Sequence, residues 1–317
     1  MTGSTGLHVV FGTGPLGMAV MRSLTARGKT LHMVNRSGKA DVPEDVSVVG
    51  ADAYDPDATA DACRGAAVVY QCAMPPYHEW PQKFPRLQGN ILGAAARAGA
   101  KLIIGENLYM YGEVSDRPIT EDLPNAATTR KGRVRAEIAE AAMAAHRAGQ
   151  ARVAIGRGSD FFGPGVLQSA IGARAIISAL QGKRASLLGN IDLPHSYTYI
   201  NDFGRALVTL GEREEALGQI WHVPNAETLT TRQFMSIVFE ETGKPPAMSG
   251  VGRTMLRIAG IFVAGARETV EMMYEFERPF IVDSSKYEKT FGEHATPHRQ
   301  AIRETVQYFR NHGSSHA

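Results

Sequence analysis

Gly12-Thr13-Gly14-Pro15-Leu16-Gly17 is the segment of this 317-residue chain whose residue types and spacing most directly imply chemistry. It fits G-x-G-x-x-G and lies between an apolar run, Leu7 to Phe11, and a helix-like run, Pro15 to Arg27. In such a turn the first Gly permits the tight bend and the second lets backbone approach a pyrophosphate. The third lets helix and strand pack closely, and the helix N-terminus offers amides and partial positive charge to phosphate. Further on, Asn35-Arg36-Ser37 ends a second strand-like run without the carboxylate that would accept from a ribose 2′-hydroxyl. Arg36 can instead pair with a 2′-phosphate and stack on adenine, and Ser37 adds a hydroxyl donor. The plainer alternative for Arg36 is a solvated side chain at a strand end. Asp52 can accept from an adenine amino group or cap the next helix. These residues read together as a site for NADP(H), with Gly12, Gly14, Pro15, Leu16, Gly17, Asn35, Arg36, Ser37 and Asp52 around the cofactor.

The elements that must position this site are legible as alternation. Short β-branched runs at Leu7 to Phe11, Thr30 to Val34, Val46 to Val49, Ala66 to Gln71, Lys101 to Ile104 and Arg152 to Ile155 read as strands. Pro15 to Arg27, Phe84 to Ala98 and Arg133 to Ala148 have helical spacing and few β-branched residues. Strand and helix in turn imply βαβ units, a parallel sheet and an α/β fold. The texture changes after Ile155, with a Gly/Pro-rich stretch to Gly165, so a second lobe is expected to begin there. Residues 1–162 are assigned to the dinucleotide-binding domain, with 191–224 returning to it, and residues 163–190 and 225–317 to a smaller lobe. The run Met255 to Met273 is too apolar for one narrow stripe and predicts a helix covered on more than one face. Asn311 to Ala317 reads as a frayed tail.

Composition narrows the function classes. A formal charge of +2 gives no electrostatic footprint for nucleic acid, so a small ligand is the expected partner. Cys63 and Cys72 are too few for a disulfide framework, read as small core residues and fit a reducing compartment. Ahead of Leu7 no basic-then-apolar leader is seen, and no run is long enough to span a membrane, which makes the cytoplasm the expected location. The scattered histidines lack ligand spacing, so no metal site is expected. A homodimer is left open.

Several further segments carry a family resemblance. Arg157-Gly158-Ser159-Asp160-Phe161-Phe162-Gly163-Pro164-Gly165 looks like R-P-x-N-x-Y-G-P-G, with Gly158 replacing the first Pro. Tyr197-Thr198-Tyr199-Ile200-Asn201-Asp202 is similar to F-x-Y-V-D-D, with Asp202 as the expected N-cap of the following helix. Trp221-His222-Val223, then Thr230 to Phe234, then Asp283-Ser284-Ser285-Lys286 follow in the order expected. With the glycine turn these landmarks resemble the extended short-chain dehydrogenase/reductases, the NAD-dependent epimerase/dehydratase branch. The resemblance implies a Rossmann doubly wound parallel sheet, a mostly C-terminal substrate-binding lobe, and a cofactor cleft at the carboxyl ends of the strands. It also implies that Ala73 and Ser159 contact the cofactor.

The family's catalytic set is an upstream Ser or Thr followed by Y-x-x-x-K, and here it is altered. The S-S-x-x-V-Y-G segment aligns with Glu106 to Gly112 and puts Asn107 at the hydroxyl position. Thr129 to Arg133 falls where Y-x-x-x-K is expected, so Thr129 replaces Tyr and Arg133 replaces Lys. An aliphatic hydroxyl is a far poorer acid than a phenol, while Arg stays protonated but can hold a ribose hydroxyl. This pattern resembles the atypical members of the family. If 107–111 is extended, Asn107, Tyr109 and Tyr111 share one face. Tyr109 is then the first choice for proton donor, with Tyr111 or His78 as fallback, Asn107 polarising the substrate and Arg133 fixing the ribose. Tyr77, His78 and Trp80, in a loop stiffened by Pro75-Pro76, are expected to line the substrate pocket. Tyr111 and His78 also have simpler readings as packing and surface residues. The leading functional expectation is an NADP(H)-dependent oxidoreductase for a small carbonyl, imine or activated alkene. A non-catalytic NADP(H)-responsive regulatory protein and a sugar-nucleotide epimerase are the alternatives.

Overall fold

The structure is a computed structural model that describes residues 6–114, 117–262 and 264–313. The frayed tail expected at 311–317 lies largely outside them. The chain divides into two compact units. The first comprises residues up to Met110, Arg130–Gly158 and Phe203–Val223; the second comprises Tyr111–Thr129, Ser159–Asp202 and the chain from Pro224 onward.

The first unit is a doubly wound α/β layer. Its strands are β1 (Leu7–Phe11), β2 (Leu31–Asn35), β3 (Ser47–Gly50), β4 (Ala66–Gln71), β5 (Lys101–Glu106), β6 (Arg152–Arg157) and, after the chain returns, β11 (Ile220–His222). All pair in parallel in the order β11-β6-β5-β4-β1-β2-β3. The order reverses beside β1, and in open parallel sheets ligands bind outside the carboxyl ends of strands at such a switch point. The connecting helices are α1 (Pro15–Ala26), α2 (Pro56–Ala62), α3 (Trp80–Arg97), α4 (Arg130–Arg147) and α6 (Ile200–Glu212). Val9, Val69, Leu102, Ile104, Val153 and Ile155 are fully enclosed, which is why the strand sequences are continuously apolar rather than alternating. Gly204 of α6 allows the closest helix approach: a Cβ there would stand 2.5 Å from the Ala19 backbone.

The second unit is built from short pairs. β7 (Asp160–Phe162) runs parallel to β10 (Tyr197–Tyr199), and β9 (Pro194–His195) antiparallel to β12 (Leu229–Thr230). β8 (Ala185–Leu188) runs parallel to β13 (Met248–Val251). Around them lie α5 (Ser178–Leu180), α7 (Thr231–Thr242), α8 (Arg253–Phe262), α9 (Ala264–Thr269), α10 (Ser285–Phe291) and α11 (His298–His312). Phe162, Phe234, Val238, Ile302 and Val306 form its core. α7 starts at a capping box between Thr230 and Gln233, which satisfies amides that the helix leaves unpaired.

The unit boundaries differ from those read in the sequence, for reasons of pairing. Residues 111–129 join the second unit because the Ile119 backbone pairs with Ile281 and Asp283. Residues 191–202 join it through β9 and β10. The apolar run at 255–273 is not one helix covered on several faces. It breaks into α8, α9 and a 3-10 turn, Val270–Phe276. α8 buries Leu256 and Gly260, while Met255, Ile258, Ile261 and Phe262 stay exposed, Phe262 at 85%. Val263 lies outside the described residues. No helix among the described residues is long and apolar enough to cross a membrane.

Asp202 also differs from expectation. It lies inside the first turn of α6 rather than at its N-cap, is 1% exposed, and accepts from the Thr296 N–H and hydroxyl, both at 2.7 Å. The carboxylate thereby joins the start of α6 to the segment entering α11. Hydrogen bonds to a charged acceptor contribute about 1.5 to 3 kcal/mol each. Asp202→Ala is therefore expected to lower unfolding stability by about 3 kcal/mol, read as a shift in the urea midpoint; an unchanged midpoint would show that water replaces the carboxylate without loss.

Candidate active site

Every element that brings chemistry to the first unit does so at the carboxyl edge of its sheet. In a parallel sheet the strands end there and the following helices begin there, so the turn after β1, the loops after β2, β4 and β5, and the start of α4 converge on one edge.

The glycine turn is fixed by backbone contact. Gly12 has φ +103°, and a Cβ on it would stand 2.8 Å from the Ala73 nitrogen; a Cβ on Gly17 would stand 1.9 Å from the Gly12 carbonyl oxygen. Only glycine permits this approach. Gly14 is different: its φ of −74° suits any residue, and a Cβ there would meet no protein atom within 4 Å. α1 also has no side-chain cap. The backbone at Gly14 and the first amides of α1 thus face open space, and this fits a pyrophosphate. Leu16 packs over the β5 backbone, since a Cβ on Gly105 would stand 2.6 Å from its Cδ2. Pro15 opens α1, where its fixed φ and missing N–H are tolerated.

Beyond β2, Asn35 is an organiser of the turn. Its Oδ1 accepts from the Ser37 and Gly38 amides at 3.0 and 2.8 Å, and its Nδ2 donates to the Thr13 hydroxyl at 3.1 Å. The Ser37 hydroxyl donates within the same turn, to Asn35 Oδ1 at 3.1 Å. Arg36 is exposed, and among the described residues it makes no hydrogen bond or ion pair. Asp52 is exposed and accepts from the Tyr54 amide at 3.0 Å; the cap of α2 is Asp55. Ser159 falls in the second unit, 3% exposed, with its amide donating to the Thr198 hydroxyl at 2.8 Å and its hydroxyl to the Ser196 carbonyl. Both polar groups of Ser159 therefore serve strand pairing.

The loops after β4 and β5 hold the side chains expected to handle a proton. Residues 107–111 are not extended: β5 ends at Glu106, Asn107 Oδ1 accepts from the Tyr109 amide at 3.3 Å, and Tyr109–Tyr111 form a 3-10 turn. The local side-chain hydrogen bond competes with strand geometry, so the three residues do not line one face. Tyr111 is 1% exposed and falls in the second unit. Tyr109 remains half-buried, and its hydroxyl accepts from the Tyr77 hydroxyl at 3.2 Å. His78 is exposed beside this pair. Trp80 is a core residue rather than a pocket wall, 2% exposed, with its indole N–H donating to the Pro75 carbonyl at 3.1 Å.

α4 supplies cations from positions that the aligned motif did not indicate. Arg133 is exposed, whereas Lys131 and Arg135 are buried at 1% and 5% exposure. At 3.6 residues per turn Lys131 and Arg135 share a face, and Arg133 lies roughly 160° to 200° away. The signal was present in the sequence, because Val134, Ile138 and Ala142 extend the same buried face along the helix. Lys131 Nζ lies 4.3 Å above the Tyr77 ring, and the Arg135 guanidinium lies between Trp80 and Phe84 at 4.5 and 4.4 Å from their ring centres. Below them the Glu106 and Arg157 side chains, 0% and 1% exposed, pair at 3.1 Å. Burial pushes the Arg135 pKa down to about 10, opposed by attraction to Glu106, Tyr109 and Tyr77. Glu106 Oε1 and the Arg135 Nε and Nη1 atoms are enclosed without a hydrogen-bond partner among the described residues. Cys63 is buried, and burial pushes its thiol up to about 12. Among the described residues no group of His, Cys, Asp and Glu is arranged to hold a metal.

The model of the NAD dependent epimerase/dehydratase family matches residues 9–223. The chain belongs to that family. Solved structures agree in fold. The dTDP-glucose 4,6-dehydratase from Bacillus anthracis str. Ames, in complex with NAD, superposes with a TM-score of 0.80 at 15% identity, over 97% of each chain. The UDP-N-acetylglucosamine 4-epimerase from Bacillus cereus gives 0.76 at 16% identity, over 96% of each chain. The UDP-glucose 4-epimerase from Thermus thermophilus, in complex with NAD, gives 0.75 at 19% identity, over 96% of this chain and 99% of that one. A search of curated protein sequences finds no match.

The contrast between Gly14 and Gly17 yields a test within this family fold. Gly14→Ala is expected to keep the wild-type melting temperature and to bind dinucleotide at least tenfold more weakly, about 1.4 kcal/mol. Gly17→Ala, which forces a Cβ into the Gly12 carbonyl, is expected to lower the melting temperature as well. Calorimetric titration with NADPH beside thermal melts checks both, and unchanged affinity in Gly14→Ala would place the phosphates elsewhere.

Proposed function

We propose that this protein is an NADP(H)-dependent oxidoreductase acting on a small carbonyl, imine or activated alkene, with Tyr109 as proton donor. The observation that carries the proposal is the hydroxyl pair Tyr77–Tyr109 with the Lys131 ammonium over the Tyr77 ring. In this reading the pair, backed by buried cations, takes over the work of the family's Tyr and Lys.

When bound, NADP(H) supplies or removes the hydride, and the residues that would hold it are the Gly12–Gly17 turn, Arg36, Ser37, Asp52 and Ala73. Arg36 gives the preference for the 2′-phosphate, because an exposed guanidinium that makes no ion pair among the described residues can meet a phosphate without first losing a carboxylate partner. Asn35 contributes indirectly by holding the Ser37 turn against Thr13.

In the reductive direction the Tyr109 hydroxyl gives its proton to the substrate atom that gains negative charge. The Tyr77 hydroxyl, which donates to the Tyr109 oxygen, is placed to stabilise the phenolate left behind. Lys131 and Arg135 favour that anion electrostatically, since a nearby cation lowers the pKa of a phenol. Asn107 is tied to the Tyr109 amide and fixes the turn that presents the hydroxyl. Lys131 is accordingly a positioning and electrostatic residue. His78 is the alternative donor, exposed at the same loop.

Two measurements test this reading. Arg36→Ala is expected to weaken NADPH binding by about 1.5 to 3 kcal/mol and NADH binding by much less; equal affinity of the wild type for both cofactors would contradict the 2′-phosphate assignment. With purified protein and a panel of aldehydes, imines and enones, Tyr109→Phe is expected to lower turnover about 10²- to 10⁴-fold with NADPH affinity intact. Wild-type turnover in that variant would move the donor to His78, and a wild type without NADPH consumption across the panel would favour a regulatory role.

A further inference from the structure

The exposed large apolar side chains of the described residues are Met74, Met255, Ile258, Ile261 and Phe262, and all but Met74 belong to α8. Apolar side chains scattered singly over a surface need no explanation, but a contiguous group marks a binding surface. At 3.6 residues per turn Met255, Ile258, Ile261 and Phe262 fall within an arc of roughly 120°. Leu256 and Gly260 lie on the opposite side of the helix, where Leu256 joins a small core with Ala266, Met273 and Phe276. α9 crosses at Gly260, since a Cβ there would stand 3.0 Å from the Arg267 Cα. The inner side of α8 is thus already packed, and its outer arc is a second apolar face that no described residue covers.

Charge restricts what can cover this face. From Gly243 to Arg267 the sequence holds Lys244, Arg253, Arg257 and Arg267 and no Asp or Glu. Arg253 is neutralised by Glu277, to which its Nη2 donates at 2.6 Å. Arg257 and Arg267 are exposed and make no hydrogen bond or ion pair among the described residues. Arg257 borders the apolar arc, roughly 40° beyond Ile261 around the helix. A second copy of the chain laid against α8 brings these cations together, and like charges across an interface oppose association. An acidic peptide satisfies the charge but needs a groove, whereas the side chains here stand outward, Ile261 at 74% and Phe262 at 85% exposure. A surface that is anionic outside and fluid and apolar just beneath accepts both features: protruding side chains enter the apolar layer and the guanidiniums meet phosphate.

We infer that α8 docks this protein on an anionic lipid surface, with Met255, Ile258, Ile261 and Phe262 entering the acyl layer and Arg257 and Arg267 pairing with headgroup phosphates. With 10 residues α8 is about 15 Å long, roughly half the thickness of the hydrocarbon core, so it lies in the plane of the interface and does not cross it. The two contributions divide the work. Apolar area gives depth of insertion, and the cations give the preference for anionic lipid. Salt screens the second contribution and leaves the first, so attachment weakens as ionic strength rises.

The test uses the full chain without dinucleotide or substrate, so its outcome is separate from that of the oxidoreductase assignment. Flotation with vesicles of phosphatidylcholine alone, or of equal parts phosphatidylcholine and phosphatidylglycerol, reads binding at low and high salt. Binding to the mixed vesicles is expected to be at least about tenfold tighter than to phosphatidylcholine and to weaken at high salt. The double variant Ile261→Ser/Phe262→Ser is expected to bind at least about tenfold more weakly, and Arg257→Gln/Arg267→Gln to lose the preference for anionic lipid. All four positions are exposed, so both variants are expected to keep the wild-type melting temperature. Insertion is read separately with Phe262→Trp: Trp80 and Trp221 are buried, so quenching by brominated lipid reports the introduced indole. Equal affinity for the two kinds of vesicle, unchanged binding in a folded Ile261→Ser/Phe262→Ser variant, or an introduced indole that brominated lipid does not quench would overturn the proposal. Absence of vesicle binding would leave the face to a protein partner, and a dimer in sedimentation velocity that the Ile261→Ser/Phe262→Ser variant dissociates would give it to a second copy; either result would also overturn the proposal.

Discussion

A carboxylate sealed from water at the end of β5 sets the conditions for the chemistry around it. Glu106 is buried with Arg157 on one side and within the field of Arg135 on the other. Breaking such a pair leaves an uncompensated buried charge and costs about 3 to 5 kcal/mol, so the ends of β5 and β6 are tied together. β5 stops at Glu106, the chain turns at Asn107, and Tyr109 is brought beside Tyr77 instead of continuing along the strand. Arg135, which is attracted to Glu106, is also within the field of Tyr109 and Tyr77, and in the proposed reaction it favours a phenolate on that pair.

The dinucleotide half of the account depends on a different constraint, one of space. Gly12 and Gly17 hold strand and helix at a separation that excludes any Cβ, while Gly14 leaves its outer side open. Asn35 then fastens the turn after β2 to the glycine loop through Thr13. The surface that fits a pyrophosphate is thus built largely from backbone. Tyr109 and Lys131 also pack against the core of the first unit, so a fold of this kind does not by itself settle what they do.

Much of this was legible in the sequence because it rests on local rules. The glycine spacing, the β-branched runs and the intervening helical patterns each follow from steric or periodic requirements, and the strands at Leu7–Phe11 and Ala66–Gln71 have the bounds those patterns imply. What was not legible depended on contacts distant in sequence or on one local hydrogen bond. Asn107 bends the chain through its own side chain, so 107–111 lacks the extended geometry that would put Asn107, Tyr109 and Tyr111 on one face. Motif alignment pointed to Arg133, yet helix periodicity favours Lys131 and Arg135, since they continue the face of Val134 and Ile138. Asp202 looks like a helix cap by position and finds its donors at Thr296, which no short-range pattern connects. The apolar run from Met255 suggests coverage on several faces, but its outer side stays exposed because α8 packs through the one face that carries Leu256, Ala259 and Gly260.

The central claim is that Tyr109, supported by Tyr77 and the α4 cations, is the group that handles the proton. A crystal structure of the protein with NADPH bound tests it most directly. The account predicts the nicotinamide C4 face open toward the Tyr109 hydroxyl, with the Tyr77 hydroxyl still within hydrogen-bond reach and Lys131 behind it. A complex in which the Tyr109 hydroxyl points away from C4, or in which another protonatable side chain occupies that position, would contradict it.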